Sequence, residues 1–98
     1  MDFVNEKLGC KFSLPDRPTV RQQLAFWSEF NEADGSGKFE GYFMAAYPLM
    51  TGWTCAALPD PTVDLDSIDN PKAASAIIWA GSQAVKFFNK LEELPKNA

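Results

Sequence analysis

Residues 41–58, GYFMAAYPLMTGWTCAAL, form a run without a charged residue, although charged residues make up 22% of the sequence. Apolar residues in and just before this run recur at i, i+4, i+7, i+11 and i+14: Phe39, Phe43, Ala46, Met50 and Trp53. This is the spacing of one face of an α-helix. Because Pro48 deletes a backbone hydrogen bond and clashes with the preceding turn, we expect a kink or break near residues 45–47. The pattern predicts a central helix over about residues 39–54.

A first helix is predicted before the central one, over about residues 19–33. Thr19 and Gln22 have the spacing of a capping box, in which each residue satisfies a backbone N–H of the other. The apolar residues expected on its inner face are Val20, Leu24, Phe26, Trp27 and Phe30. Gly35 and Gly37 then favour a turn into the central helix.

A last helix is predicted over about residues 71–93, with Asn70 as N-cap and Pro71 in the first turn. At 100° per residue, one face of this helix is apolar: Ala73, Ile77, Ala80, Gly81, Ala84, Phe88 and Leu91. The small residues in this set should let the last helix approach the central helix closely.

The remaining segments are predicted to be mostly irregular, with at most one short strand in the first and one helical turn in the second. Residues 1–18 are interpreted as an extended N-terminal arm, in which the alternation at 11–14 is typical of one short strand or extended segment before Pro15 and Pro18. Residues 57–70 are a connector rich in Pro and Asp. The predicted fold is therefore mainly α: a single three-helix domain over residues 1–98, with an extended arm and a Pro/Asp-rich connector before the last helix.

Composition narrows the classes of partner. A hydrophobic content of 46% and an aromatic content of 13% indicate a globular domain. The net charge of −4 argues against binding to nucleic acid or to an anionic membrane, since both need a basic patch, and favours a protein partner. A transmembrane interpretation of the uncharged run is rejected because it contains Pro48 and is flanked by Glu40 and Asp60.

The sequence offers no pattern for a metal, a cofactor or catalysis, and we predict a protein that is not an enzyme. There is no histidine, and Cys10 and Cys55 could pair only with each other. We expect reduced thiols in a cytoplasmic protein, because residues 1–9 also lack the features of a signal peptide.

Two polar segments are candidates for a cation site or a catalytic site. Residues 32–40 resemble the first nine positions of an EF-hand loop, but the twelfth position is Phe43 where calcium needs a bidentate Glu, so a plain turn is favoured. The connector holds four carboxylates, which without a second ligand cluster favour a solvated loop whose side chains cap turns: Asp60, Asp64, Asp66 and Asp69.

Two surfaces remain candidates for partner binding. Trp79 lies with Lys86 on the polar face of the last helix, where it is either covered by the N-terminal arm or exposed as an anchor. Met44 and Pro48 lie on the far, uncharged face of the central helix, which is either covered within the fold or meets another molecule. The candidate partner-binding residues are thus Trp79, Lys86, Met44 and Pro48.

Several motifs carry a family resemblance. Residues 12–24 (FSLPDRPTVRQQL), Trp53-Thr54-Cys55, Leu58-Pro59-Asp60 and Ile78-Trp79-Ala80-Gly81 resemble small proteins of tailed phages and prophages, the tail assembly chaperones. The resemblance implies a helical protein in the cytoplasm of the bacterial host. It also implies a role in virion assembly, in which the protein holds the tape-measure protein until tail-tube subunits polymerise around it.

The expected function is therefore non-enzymatic protein binding, with a tape-measure or tail-tube protein as partner. A homo-oligomer remains open. The alternative is an acidic inhibitor from a phage or mobile element that binds a host enzyme by imitating the charge of nucleic acid. An uncharged helical face suits the chaperone, whereas a net charge of −4 is small for a mimic of nucleic acid.

Overall fold

The computed structural model describes residues 1–36 and 39–93, and it shows three α-helices beside a three-stranded antiparallel sheet. The elements are, in chain order, β1 (Asp2–Asn5), β2 (Cys10–Ser13), α1 (Val20–Ser36), α2 (Phe39–Ala46), β3 (Thr51–Cys55) and α3 (Pro71–Glu93). Short 3₁₀ turns cover Tyr47–Leu49 and Leu65–Ser67. The spatial order of the strands is β1-β2-β3.

The predicted mainly α fold is wrong, because residues 1–13 are not a loose arm but a β-hairpin. Phe3 pairs with Phe12 across β1 and β2, and Gly9 takes a positive φ of 66° in the connection between them. Glycine accepts that backbone conformation without the steric cost that a side chain would bring. The alternation around Phe12 was interpreted as a single extended segment, so the strand that precedes it was missed.

The third strand replaces the end of the predicted central helix. Helix α2 ends at Ala46, and Pro48 follows in the 3₁₀ turn, consistent with the break expected near residues 45–47. Residues 51–55 then pair with β2, where Cys55 lies opposite Cys10. The apolar spacing through Met50 and Trp53 therefore does not reflect a continuous helix, because Pro48 interrupts the hydrogen-bond ladder before them.

The predicted helix starts are confirmed by their capping contacts. The Thr19 backbone N–H donates to Gln22 Oε1 at 2.8 Å, and the Gln22 N–H donates to Thr19 Oγ1 at 3.1 Å. At the start of α3, the Lys72 N–H donates to Asn70 Oδ1 at 2.9 Å. Helix α1 extends to Ser36, past the predicted end at 33. The EF-hand-like segment 32–40 includes positions 37 and 38, which lie outside the described residues.

The predicted apolar face of α3 is confirmed, and it packs closely against α2. Ala73, Ile77, Ala80, Ala84 and Phe88 are all buried. At Gly81 a Cβ atom would lie 3.0 Å from the Phe43 backbone nitrogen and 3.2 Å from Tyr42 Cβ. Since such contacts are tighter than side chains normally make, the missing side chain of Gly81 allows the two helices to approach.

Aromatic side chains join α3 to the elements on both of its flanks. On the helical flank, Phe26 of α1 stacks on Phe88 with ring centroids 4.0 Å apart. On the sheet flank, Phe12 lies 5.5 Å from Trp79, and Phe3 lies 6.0 Å from Phe87. Helix α3 is therefore packed between the helical pair and the inner face of the sheet.

The predicted inner face of α1 is wrong at its first two apolar positions. Val20 is 72% exposed and Leu24 is 65% exposed. Helix α2 starts beside the end of α1 and has 8 residues against 17, which at about 1.5 Å per residue gives about 12 Å against about 25 Å. Helix α2 is therefore too short to cover the first turns of α1.

Cys10 and Cys55 form a disulfide across β2 and β3, so the expectation of reduced thiols is wrong for this structure. Both residues are buried on the inner face of the sheet. The pairing could not be predicted across a sequence separation of 45, because sequence alone placed Cys55 at the end of a helix rather than opposite Cys10.

None of the helices in the described part of the chain combines the length and the apolar character that a membrane span requires.

Candidate partner-binding cleft

An open cleft of about 450 Å³ lies where the three helices meet. Helix α1 contributes Phe30 and helix α2 contributes Tyr42. The rest of the lining comes from one stripe of α3: Ile78, Ser82, Val85 and Lys86. We call this surface the helical cleft.

The sequence positions these side chains through two local features. The i, i+4 and i+7 spacing of Ile78, Ser82 and Val85 places them on one side of α3. The close approach of α2 at Gly81 brings Tyr42 beside that stripe, where its ring lies 5.2 Å from the ring of Phe30. The two rings form one wall of the cleft, and α3 forms its floor.

The floor of the helical cleft exposes an apolar side chain. Ile78 is 53% exposed, whereas the adjacent Ile77 is 8% exposed. Ser82 and Lys86 are also exposed, and Phe30, Tyr42 and Val85 are half-buried. The surface is thus largely apolar, with one cation at its end, and this composition suits contact with an apolar segment.

A second cleft of about 210 Å³ continues the first along α3 and shares Ile78 with it. Glu40 of α2 lines this second cleft, and the connector contributes Leu65 and Ile68. Both connector residues are half-buried against the core. Ala73, Ala74 and Ile77 complete the α3 side.

The four predicted partner-binding residues do not form one surface. Lys86 lines the helical cleft. Trp79 is half-buried with its ring against Phe12, so the N-terminal segment covers it, as one of the two interpretations required. Met44, which is 45% exposed, and Pro48, which is also exposed, lie beyond the residues that line the cleft.

The sequence interpretation missed Ile78 and Tyr42 as cleft residues and assigned Phe30 wholly to the inner face of α1. The pair Ile77-Ile78 carried a usable indication. Neighbouring residues in a helix point about 100° apart, so the two isoleucines cannot both lie at the centre of one narrow buried face. Tyr42 could not be placed from sequence, because its position depends on the approach of α2 to Gly81.

The aspartates Asp60 and Asp64 of the connector accept hydrogen bonds from residues in the same turns. Asp60 Oδ1 accepts hydrogen bonds from the Thr62 hydroxyl at 2.6 Å and from the Thr62 N–H at 2.9 Å, and these bonds lower the pKa of Asp60. Asp64 Oδ1 accepts from the Asp66 N–H at 3.0 Å. Over residues 1–36 and 39–93, no group of three or more Asp, Glu, Cys or His residues is placed to hold a metal ion.

Comparison with protein-family models, curated proteins and solved structures finds no match for this chain.

Proposed function

We propose that this protein is a non-enzymatic binding domain that holds an apolar helical segment of a protein partner in the helical cleft. The observation that carries the proposal is the exposed Ile78 on the floor of an apolar cleft between three helices. Helix-in-groove recognition places apolar side chains at i, i+3 or i+4, and i+7 into such a surface.

The apolar area that a partner would bury in the cleft provides enough free energy for weak, reversible binding. Complete burial of an isoleucine side chain contributes about 1.5–3 kcal/mol, and Ile78 has about half of that still to gain. Phe30, Tyr42 and Val85 are half-buried and have further area to lose to a partner. A weak, releasable complex follows, because association also costs translational and side-chain entropy.

The specific role we propose is that of a tail assembly chaperone whose client is the tape-measure protein. It is supported by the motif resemblance and by the suitability of an apolar cleft for a long helical client. The proposed location is the cytoplasm of a bacterial host. Because that compartment keeps thiols reduced, the proposed location requires the fold to persist when Cys10 and Cys55 are not bonded.

The test uses overlapping peptides that cover the tape-measure protein encoded in the same genome, each labelled for fluorescence anisotropy. At least one peptide with helical apolar spacing should bind. Ile78→Asp should weaken binding by at least about tenfold, because it places a charge in the apolar floor. Leu24→Asp is the matched control, since Leu24 is an exposed apolar residue outside the cleft lining, 65% exposed against 53% for Ile78.

Failure of every peptide to bind would reject the tape-measure client. Equal weakening by Ile78→Asp and Leu24→Asp, with both variants folded by circular dichroism, would reject the helical cleft as the binding surface.

A further inference from the structure

We infer that the segment held by this protein is an amphipathic helix of about three turns that lies parallel to α3, with basic residues in its first turn and acidic residues in its last. This inference rests on the proposed function, because it describes the occupant of the same cleft. It adds the direction in which the partner lies and the charges by which it is recognised.

The length of the occupant follows from the continuity of the two clefts. They share Ile78, and together they follow α3 from Ala73 to Lys86. These positions are thirteen residues apart in sequence, which at about 1.5 Å per residue is about 20 Å of helix. A partner helix of about thirteen residues would fill this length.

Small exposed residues flank the apolar centre of the combined groove. Ala74 and Ser82 lie one turn before and one turn after Ile78 on the same stripe of α3, and all three are exposed. Small residues let a second helix approach closely, so that its own apolar side chains can reach Ile78 between them. The groove therefore fits a helix with one apolar stripe better than it fits an extended peptide.

The direction of the occupant follows from the charges at the two ends. Glu40 lines the end of the groove beside the start of α3, and Lys86 lines the opposite end. Both side chains are exposed. A helix carries partial positive charge at its N-terminus and partial negative charge at its C-terminus. The favourable arrangement places the partner's N-terminus at Glu40 and its C-terminus at Lys86.

Side-chain charges on the partner strengthen the same arrangement. Basic residues in its first turn would face Glu40, and acidic residues in its last turn would face Lys86. Exposed pairs of this kind contribute little affinity individually. One orientation brings opposite charges together at both ends and the reverse orientation brings like charges together, so the two ends jointly discriminate between the orientations. We expect a preference of about tenfold at low ionic strength, decreasing as added salt screens the charges.

The test compares two synthetic thirteen-residue peptides with identical leucine stripes and identical composition. One carries two lysines in the first turn and two glutamates in the last, and the other has these charges exchanged. Because basic residues near an N-terminus disfavour a free helix, both peptides carry an i, i+4 hydrocarbon staple and are matched for helix content by circular dichroism. A third stapled peptide, with the leucines scrambled around the helix, reports non-specific binding.

The lysine-first peptide should bind about tenfold more tightly than its exchanged counterpart, and the double variant Glu40→Lys with Lys86→Glu should reverse this preference. Equal affinities, or a preference that the double variant leaves unchanged, would overturn the inferred direction while leaving the cleft as a binding surface. Binding of both designed peptides no stronger than the scrambled peptide would overturn the proposed function together with the inference.

Discussion

The two sides of α3 differ in how completely the rest of the chain covers them. On the covered side, Phe88 is buried under Phe26, and Gly81 lies against the backbone of α2. On the open side, Ile78 borders a cleft and is half exposed. β-branched residues lie on both sides, Ile77 on the covered side and Ile78 on the open side, so hydrophobicity alone does not place them. The difference shows that packing partners, not hydrophobicity, decide which apolar residues stabilise the fold and which are free for a partner.

Two adjacent isoleucines of α3 show this difference most directly. Ile77 is buried at the junction of α3 with its neighbours, and Ile78 is exposed, although one peptide bond separates them. A rotation of about 100° along the helix moves the side chain from core to surface. We therefore expect substitutions on the covered side to change the free energy of unfolding, and those on the open side to change binding.

The largest expected effect is that of Phe88→Ala, which should lower the free energy of unfolding by about 3–5 kcal/mol because it leaves a cavity beneath Phe26. Ile78→Ala on the open side of the same helix should lower it by only about 1 kcal/mol or less, because that side chain is already half exposed. Urea unfolding followed by circular dichroism measures both values. Similar losses for the two variants would mean that the open side is covered in solution.

Loss of the disulfide should have the next largest effect. Cys10→Ala combined with Cys55→Ala removes a link across 45 residues, and we expect a loss of about 2–4 kcal/mol from the freedom regained by the unfolded chain. Added dithiothreitol should destabilise the native protein and leave the double variant unchanged. If dithiothreitol does not change the free energy of unfolding of the native protein, the disulfide does not contribute to stability and the packing on the covered side determines it.

A smaller effect is expected where α2 meets α3. Gly81→Ala forces a Cβ against the α2 backbone. The clash should lower the free energy of unfolding by about 1–3 kcal/mol. The higher helix propensity of alanine raises it by about 1 kcal/mol, so we expect a net loss of about 1 kcal/mol. Gly35→Ala is the control, because nothing lies within 4 Å of the added carbon. It should leave the protein equally or more stable, as measured by thermal unfolding.

The smallest effect belongs to the connector, away from both sides of α3. The Thr62 hydroxyl and N–H hold the pKa of Asp60 below its ordinary value. This contribution to stability is present above the ordinary carboxylate pKa of about 3.9 and is lost as pH falls through the lower pKa of the folded state. Thr62→Val should raise the pKa of Asp60 in an NMR titration, whereas Thr54→Val should not. An unchanged pKa in Thr62→Val would exclude the hydroxyl as its cause.

Local patterns predicted the parts of the fold that depend on neighbouring residues. Thr19 with Gln22, and Asn70 with Pro71, located two helix starts because capping contacts span only a few positions. The buried face of α3 followed from helical spacing because that helix is covered along most of its length. Pro48 marked the end of α2 for an equally local reason, the loss of a backbone hydrogen bond.

Features that depend on distant residues could not be predicted in the same way. In the sheet, Cys10 lies opposite Cys55, and no short-range pattern predicts a pairing across a sequence separation of 45. The exposure of Leu24 depends on how far α2 extends, and the position of Tyr42 depends on the packing at Gly81. Of the four predicted partner-binding residues, only Lys86 lines the cleft. The cleft forms where the helices pack, and short-range sequence patterns do not specify that packing.

The cross-strand disulfide also gives the chain a closed topology. The bond joins β2, before the first helix, to β3, after the second, so the backbone from Cys10 to Cys55 forms a covalent ring that contains α1 and α2. A protease that cuts one peptide bond within that ring converts the ring into an open chain but releases no fragment. The oxidised protein nicked there therefore remains one molecule, with α3 still joined to the strands against which it packs.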